Sequence, residues 1–149
     1  MPKEFEKFVA SQKGLLFKDD KCLILKINPE LINQDNAWDL PGGRLDKGED
    51  YSLGLKRELE EEIGLSNFDV LGVADCTFWW TPVDGGSPIV GIIYAIQADN
   101  QEIILSGEHV EMKWISQSEI DNYHYIWPHM HKALKKGFQL YNLYKNSTK

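Results

Sequence analysis

Cysteine is scarce: the 149 residues hold only Cys22 and Cys76, both in apolar stretches and without the second pair or histidine spacing of a zinc site. Two buried thiols are expected rather than a disulfide framework. Long apolar runs are missing too. The longest, residues 88–96, falls far short of the ~18 residues of a spanning helix, so no membrane anchor is expected. The amino terminus, MPKEFEKFVAS, is charged throughout and lacks the apolar core of a secretory signal, which points to the cytoplasm. Basic charge is in deficit, with 16 Lys and Arg against 23 Asp and Glu and a net charge of −7. That balance argues against a nucleic-acid backbone as partner. A phosphate-bearing ligand would need metal ions to neutralise it. No repeat or low-complexity linker divides the chain, and its length suits one domain over residues 1–149.

What is present is an ordered alternation of patterns. Residues 8–27 read as a strand pair, GLLF and CLILKI, around the turn-prone Lys18-Asp19-Asp20-Lys21. Residues 28–36 are polar and read as a loop. Trp38-Asp39-Leu40 leads to Pro41-Gly42-Gly43, a break that frees the backbone for positive φ or close approach. The composition of residues 51–63 predicts a helix, with acidic residues before it and Gly64 as its stop. Residues 68–80 and 89–98 are rich in β-branched and aromatic side chains and read as strands, with shorter candidates at 102–105 and 111–115. Ser116 and Glu119 have capping-box spacing, and residues 128–144 carry Met130, Leu134, Phe138 and Tyr141 at helical intervals.

On a helical wheel Leu55, Leu59 and Ile63 form one apolar stripe, and Glu58, Glu61 and Glu62 fall together on its flank. Like charges at these spacings cost an isolated helix roughly 0.2–0.5 kcal/mol per pair. Such a run is either a solvated acidic face or a site for a hard cation, since Mg²⁺ takes carboxylate, phosphate and water oxygens. The preceding Pro-Gly-Gly loop favours the cation site, because bare backbone there can reach a metal or a phosphate without obstruction.

The segment GRLDKGEDYSLGLKRELEEEIGL has Gly43, five residues, Glu49, seven residues, Arg57-Glu58-Leu59, one residue, Glu61-Glu62, one residue and Gly64-Leu65. In this it resembles a complete Nudix box, a chance match of which is on the order of 10⁻⁸ to 10⁻⁷ for this length. The resemblance implies an α+β chain with the Nudix fold, an α/β/α sandwich around a mixed β-sheet. It also implies hydrolysis of a phosphoanhydride bond in a nucleoside diphosphate linked to another moiety. Glu58, Glu61 and Glu62 would then bind Mg²⁺, for which Mn²⁺ substitutes, the carbonyl of Gly43 would add a ligand, and Arg57 paired with Glu49 would orient the carboxylates. On the residues alone, Arg57 also reads as an exposed charge beside neighbouring glutamates.

A further carboxylate, catalytic and metal-binding, is expected from Glu108 rather than Glu111 in the loop before Lys113-Trp114-Ile115. The plainer reading makes both polar loop residues. His109 reads as a solvent-exposed or structural histidine in preference to a general base. His124, His129 and His131 show no metal spacing. Trp38, Phe78, Trp79 and Trp80 are candidates to stack on a base, although alternation along a strand sends at least one of 78–80 into the core.

A free nucleotide or nucleotide derivative is the expected substrate. An RNA-end pyrophosphohydrolase and a non-catalytic nucleotide-sensing module are the alternatives, the first disfavoured by the acidic balance and the second by the intact box. Pro82 lies near the place of a proline used by ADP-ribose hydrolases, without matching it. The oligomeric state is open, a homodimer included.

Overall fold

Period-two alternation builds the first layer. β1 (Val9–Lys18) and β2 (Lys21–Ile27) form an antiparallel hairpin whose turn residues Asp19 and Asp20 take φ of 49° and 61°. Positive φ at both central residues matches the twist of the flanking strands. Leu16, Leu23 and Leu25 face one side of the sheet, while Leu15, Phe17, Cys22 and Ile24 face the other. The computed structural model describes residues 1–80 and 86–149.

The sheet is completed by β3 (Trp38–Asp39), β4 (Gly42–Arg44), β5 (Asp69–Trp80), β6 (Pro88–Gln97) and β7 (His109–Ile115). Its order is β3-β2-β1-β6-β5, with β4 added to β1 and β7 to β2. β1 runs parallel to β6 and the other pairs are antiparallel, so the sheet is mixed.

Helix α1 (Tyr51–Ile63) spans the range that composition predicts. Asp50 caps it, its carboxylate accepting the Ser52 N–H at 2.8 Å, and Gly64 ends it in the left-handed region with φ 68°. Leu55, Leu59 and Ile63 are buried against the sheet, each worth roughly 1.5–3 kcal/mol. Helix α2 (Met130–Ser147) covers the opposite face through Met130, Leu134, Phe138 and Tyr141. A layer of helix on each side of a mixed sheet is the architecture implied by the box. Between β7 and α2 a 3-10 helix (Gln117–Asn122) starts where Glu119 accepts the Ser116 N–H at 2.7 Å and its hydroxyl at 2.9 Å. Among the described residues no helix is long and apolar enough to cross a membrane.

Two expectations fail. Residues 102–105 are not a strand: the Ile104 N–H is spent on the Ile63 carbonyl at 3.0 Å and the Ser106 N–H on that of Glu62, tying the segment to the end of α1 instead of to the sheet. Cys76 is exposed rather than buried, because it lies on the outermost strand beyond the reach of α1; Cys22 is buried.

Candidate active site

The site is assembled where the loop between β3 and β4 meets the flank of α1. Gly42 has φ 131°, and a Cβ there would stand 2.2 Å from the Gln12 carbonyl oxygen, so only glycine lets β4 lie against β1. Its peptide is gripped at both ends. The N–H donates to Glu62 Oε2 at 2.8 Å, and the carbonyl accepts from Lys13 Nζ at 3.2 Å. Gly43 follows with its Cα against the Glu58 carboxylate.

The three box carboxylates occupy a gradient of exposure. Glu62 is 7% exposed, the Glu58 side chain 16% and the Glu61 side chain 60%. Burial pushes the Glu62 carboxyl up to about 8 against the opposing pull of Lys13 and the Gly42 N–H. Burial also raises Glu58, with Arg57 opposing it. Glu60 is exposed.

Arg57 bridges the outer part of the site. Its Nε and Nη2 meet both Glu49 oxygens at 2.6 and 3.1 Å, while Nη1 donates to Glu58 at 3.0 Å and Glu61 at 3.2 Å. This two-pronged bond holds the Glu49 carboxyl down to about 2. One guanidinium thereby orients three carboxylates.

Lys13 does the same for the inner part. It alternates with Leu15 and Phe17 toward α2, and its ammonium donates to Asp39 Oδ2 at 3.0 Å, the Leu40 carbonyl at 3.1 Å and the Gly42 carbonyl. Burial alone would depress it, but Asp39, Glu62 and Glu58 outweigh that cost and hold it above its ordinary value. The sequence reading missed Lys13 and Asp39. No local signal marked Lys13, since Ser11 and Gln12 precede it in β1 and leave no apolar pattern for it to break.

Glu108 is exposed, with no side-chain hydrogen bond or ion pair among the described residues though its charge acts on His109, and its loop is held to α1 by the bond from Ser106 N–H to the Glu62 carbonyl. The Glu111 carboxylate instead lies 3.5 Å from Lys26 and 3.7 Å from Lys113. His109 is not exposed: burial depresses its pKa, and its Nδ1 has no partner among the described residues.

The aromatic candidates separate. Trp38 is core, packed edge-on to Tyr123. Phe78 points out on the α1 side. Trp79 turns to the α2 side, where its ring lies so close over Gly91 that a Cβ would meet it at 2.2 Å, and where Trp127 and His129 approach at 5.6 and 4.8 Å between ring centres. Its indole N–H is buried without a partner among the described residues. Burial depresses His129, with Asp39 and Lys13 acting on it as well, so this cluster borders the polar floor. The side chain of Trp80, and Pro82, lie outside the described residues.

Among the described residues no three acidic, thiol or imidazole groups close around a metal position, and Arg57 donates to both Glu58 and Glu61. The donor set nevertheless fits a hard divalent cation: clustered carboxylate oxygens, a neighbouring carbonyl, and a glycine where any Cβ would collide with Glu58.

A family model, the NUDIX domain, matches residues 11–137. The chain belongs to the Nudix family. An RNA pyrophosphohydrolase of Pelagibacter ubique is 41% identical over 61 residues, which are 41% of this chain and 37% of that relative. One of Campylobacter jejuni is 28% identical over 119 residues, covering 77% of this chain and 70% of the relative. The first alignment thus spans well under half of the curated relative's length. The crystal structure of a MutT protein from Methanosarcina mazei Go1 superposes with a TM-score of 0.73 at 21% identity, over 94% of this chain and 99% of that one. At that identity the likeness is one of Nudix fold.

Proposed function

We propose that the chain is a pyrophosphohydrolase that cleaves a phosphoanhydride bond in a nucleoside diphosphate linked to another group. The observation that carries this reading is the seating of Glu58 and Glu62 against the Gly42-Gly43 backbone, with one carboxylate filling the space of a missing Cβ and the other holding a peptide N–H. Glu58, Glu61, Glu62, the Gly43 carbonyl and Glu108 are the oxygen donors for Mg²⁺ or Mn²⁺. Bound there, the divalent ions supply charge neutralisation for the phosphates and a lowered pKa for the attacking water.

The chain's own residues do the rest. Arg57 and Glu49 keep the outer carboxylates in one orientation, and Lys13 fixes the loop through the Gly42 carbonyl while the Ser11 hydroxyl donates to the Gly43 carbonyl at 3.3 Å. Glu62, unprotonated only toward alkaline pH when no cation faces it, becomes an anion once a cation neighbours it. Trp79, whose indole N–H has no partner among the described residues, offers a wall and a donor to a base.

A free nucleotide derivative in the cytoplasm is the substrate favoured by the net charge of −7. The names of the relatives from Pelagibacter and Campylobacter favour the second reading, removal of pyrophosphate from an RNA end. The test is a panel of nucleoside triphosphates, oxidised triphosphates, ADP-ribose, nucleotide sugars, dinucleoside polyphosphates and a 5′-triphosphorylated RNA, each incubated with Mg²⁺ and resolved by chromatography. Turnover of the RNA alone selects the second reading, and no turnover of any member removes both.

A further inference from the structure

The sheet face on the α1 side is covered only in part. Helix α1 packs over β1 and β2, and among the described residues nothing covers β5 and the neighbouring part of β6 on this face. Bulges after Val70 and Val73 reset the alternation of β5, so that Val70, Val73, Cys76 and Phe78 all emerge on this face. Val70, Val73 and Phe78 are 53%, 57% and 66% exposed, and Phe8 packs edge-on to Phe78 with ring centres 5.5 Å apart while 44% exposed itself. The only acid between Val70 and Phe78, Asp75, turns to the other side and is buried against Lys136.

The face has a protrusion at one end and a recess at the other. The Phe8–Phe78 pair stands up at the end of β5. At its beginning a groove of about 220 Å³ opens between Tyr51, Ser52 and Leu55 of α1, Gln12, Val70 and Tyr94 of the sheet, and Phe68 just ahead of β5. Val70 pairs with Ile96 and Phe78 with Val90, so six residues along β6 set the two about 20 Å apart.

We propose that this face binds a second copy of the chain, with the Phe8–Phe78 protrusion of each copy entering the groove of the other. A two-fold axis makes such a contact twice, because in an isologous interface residue i meets j while j meets i. Both halves of the complementary pair are already on one surface. With Tyr51 at the groove 70% exposed as well, and about 150–250 Å² on an aromatic side chain, the exposed fractions leave roughly 400–600 Å² of apolar face. This is at least half of the ~800 Å² that each partner gives to a standard interface and reaches the upper end of the largest apolar patch on ordinary monomers. Its lack of charge also favours this occupant: two molecules of net charge −7 repel one another least through an uncharged face, and permanent homodimer contacts are the more apolar kind. The contact is face to face rather than edge to edge, because the two bulges break the regular outer edge that strand addition requires.

Sedimentation velocity on the full chain across micromolar concentrations tests this. The wild type is expected to run at twice the chain mass, and Phe78→Glu at the protrusion and Val70→Lys at the groove are each expected to run at the single-chain mass with an unchanged near-UV circular dichroism spectrum. Val110→Glu, an exposed apolar position on β7, is expected to remain a dimer. A monomeric wild type, a dimer that survives both patch substitutions, or a dimer dissolved equally by Val110→Glu would overturn the proposal. If a patch variant fails to fold, hydrogen exchange on the wild type decides: concentration-dependent protection of residues 70–78 upholds the interface, and protection confined elsewhere refutes it.

Discussion

The Glu58 carboxylate rests against the bare Cα of Gly43, so that a methyl group there would lie 2.6 Å from its Cδ and 2.7 Å from both oxygens. Gly43→Ala therefore displaces Glu58 rather than unfolding the chain, because the clashing atoms end a flexible side chain. Manganese affinity, read by electron paramagnetic resonance, is expected to fall by roughly 10-fold or more with little change in melting temperature. Unaltered Mn²⁺ binding would separate Glu58 from the metal.

Lys13 presents all three ammonium donors to Asp39 and two loop carbonyls within the buried floor. Lys13→Met leaves Asp39 and those carbonyls without a cation, and breaking such a pair from one side costs about 3–5 kcal/mol. Urea unfolding should register that loss, and adding Asp39→Asn should recover part of it. A loss below about 1 kcal/mol would reduce the pair to the rank of a surface ion pair.

The raised Glu62 pKa gives a signed pH dependence. Unfolded, the carboxyl titrates near ~4.3; folded without metal, it titrates at about 8, so the native state holds the proton through the interval between. The stability this contributes is present at acidic pH and is lost as pH rises through the folded value. With chelator present, Glu62→Gln is expected to melt close to the wild type near the acid end and several degrees above it at alkaline pH. His109 and His129 cancel in this comparison, being common to both proteins. A difference that does not vary with pH would contradict the buried-carboxyl account.

Glu108 and Glu111 differ in their partners, the first free of ion pairs among the described residues and the second between Lys26 and Lys113. Steady-state kinetics should show Glu108→Gln lowering kcat by more than ~10-fold and Glu111→Gln changing it far less. The reverse ranking transfers the role to Glu111.

Local patterns made α1 legible to the residue. Its cap, stop and apolar stripe lie within one short segment, and the box spacing identified the flank that carries the carboxylates. Lys13 and Asp39 were not legible, because their contact joins strands far apart in sequence and neither belongs to a motif. The misread strand at 102–105 has strand-like residues, but tertiary bonds to the end of α1 outbid the sheet for its N–H groups. Cys76 sits in an apolar run, and no local signal told that α1 stops short of its strand.

The box is functional only if its carboxylates act through their placement and not through their number. Glu62 is buried with a bond to the Gly42 N–H, while Glu60, two residues earlier, is exposed on another face of the same helix. The deciding measurement is kcat at saturating Mg²⁺ on whichever panel substrate turns over, for the wild type, Glu62→Gln and Glu60→Gln. The account expects Glu62→Gln to lose at least ~100-fold and Glu60→Gln to match the wild type. Equal and small effects at both positions would contradict it and leave the acidic run as a solvated surface.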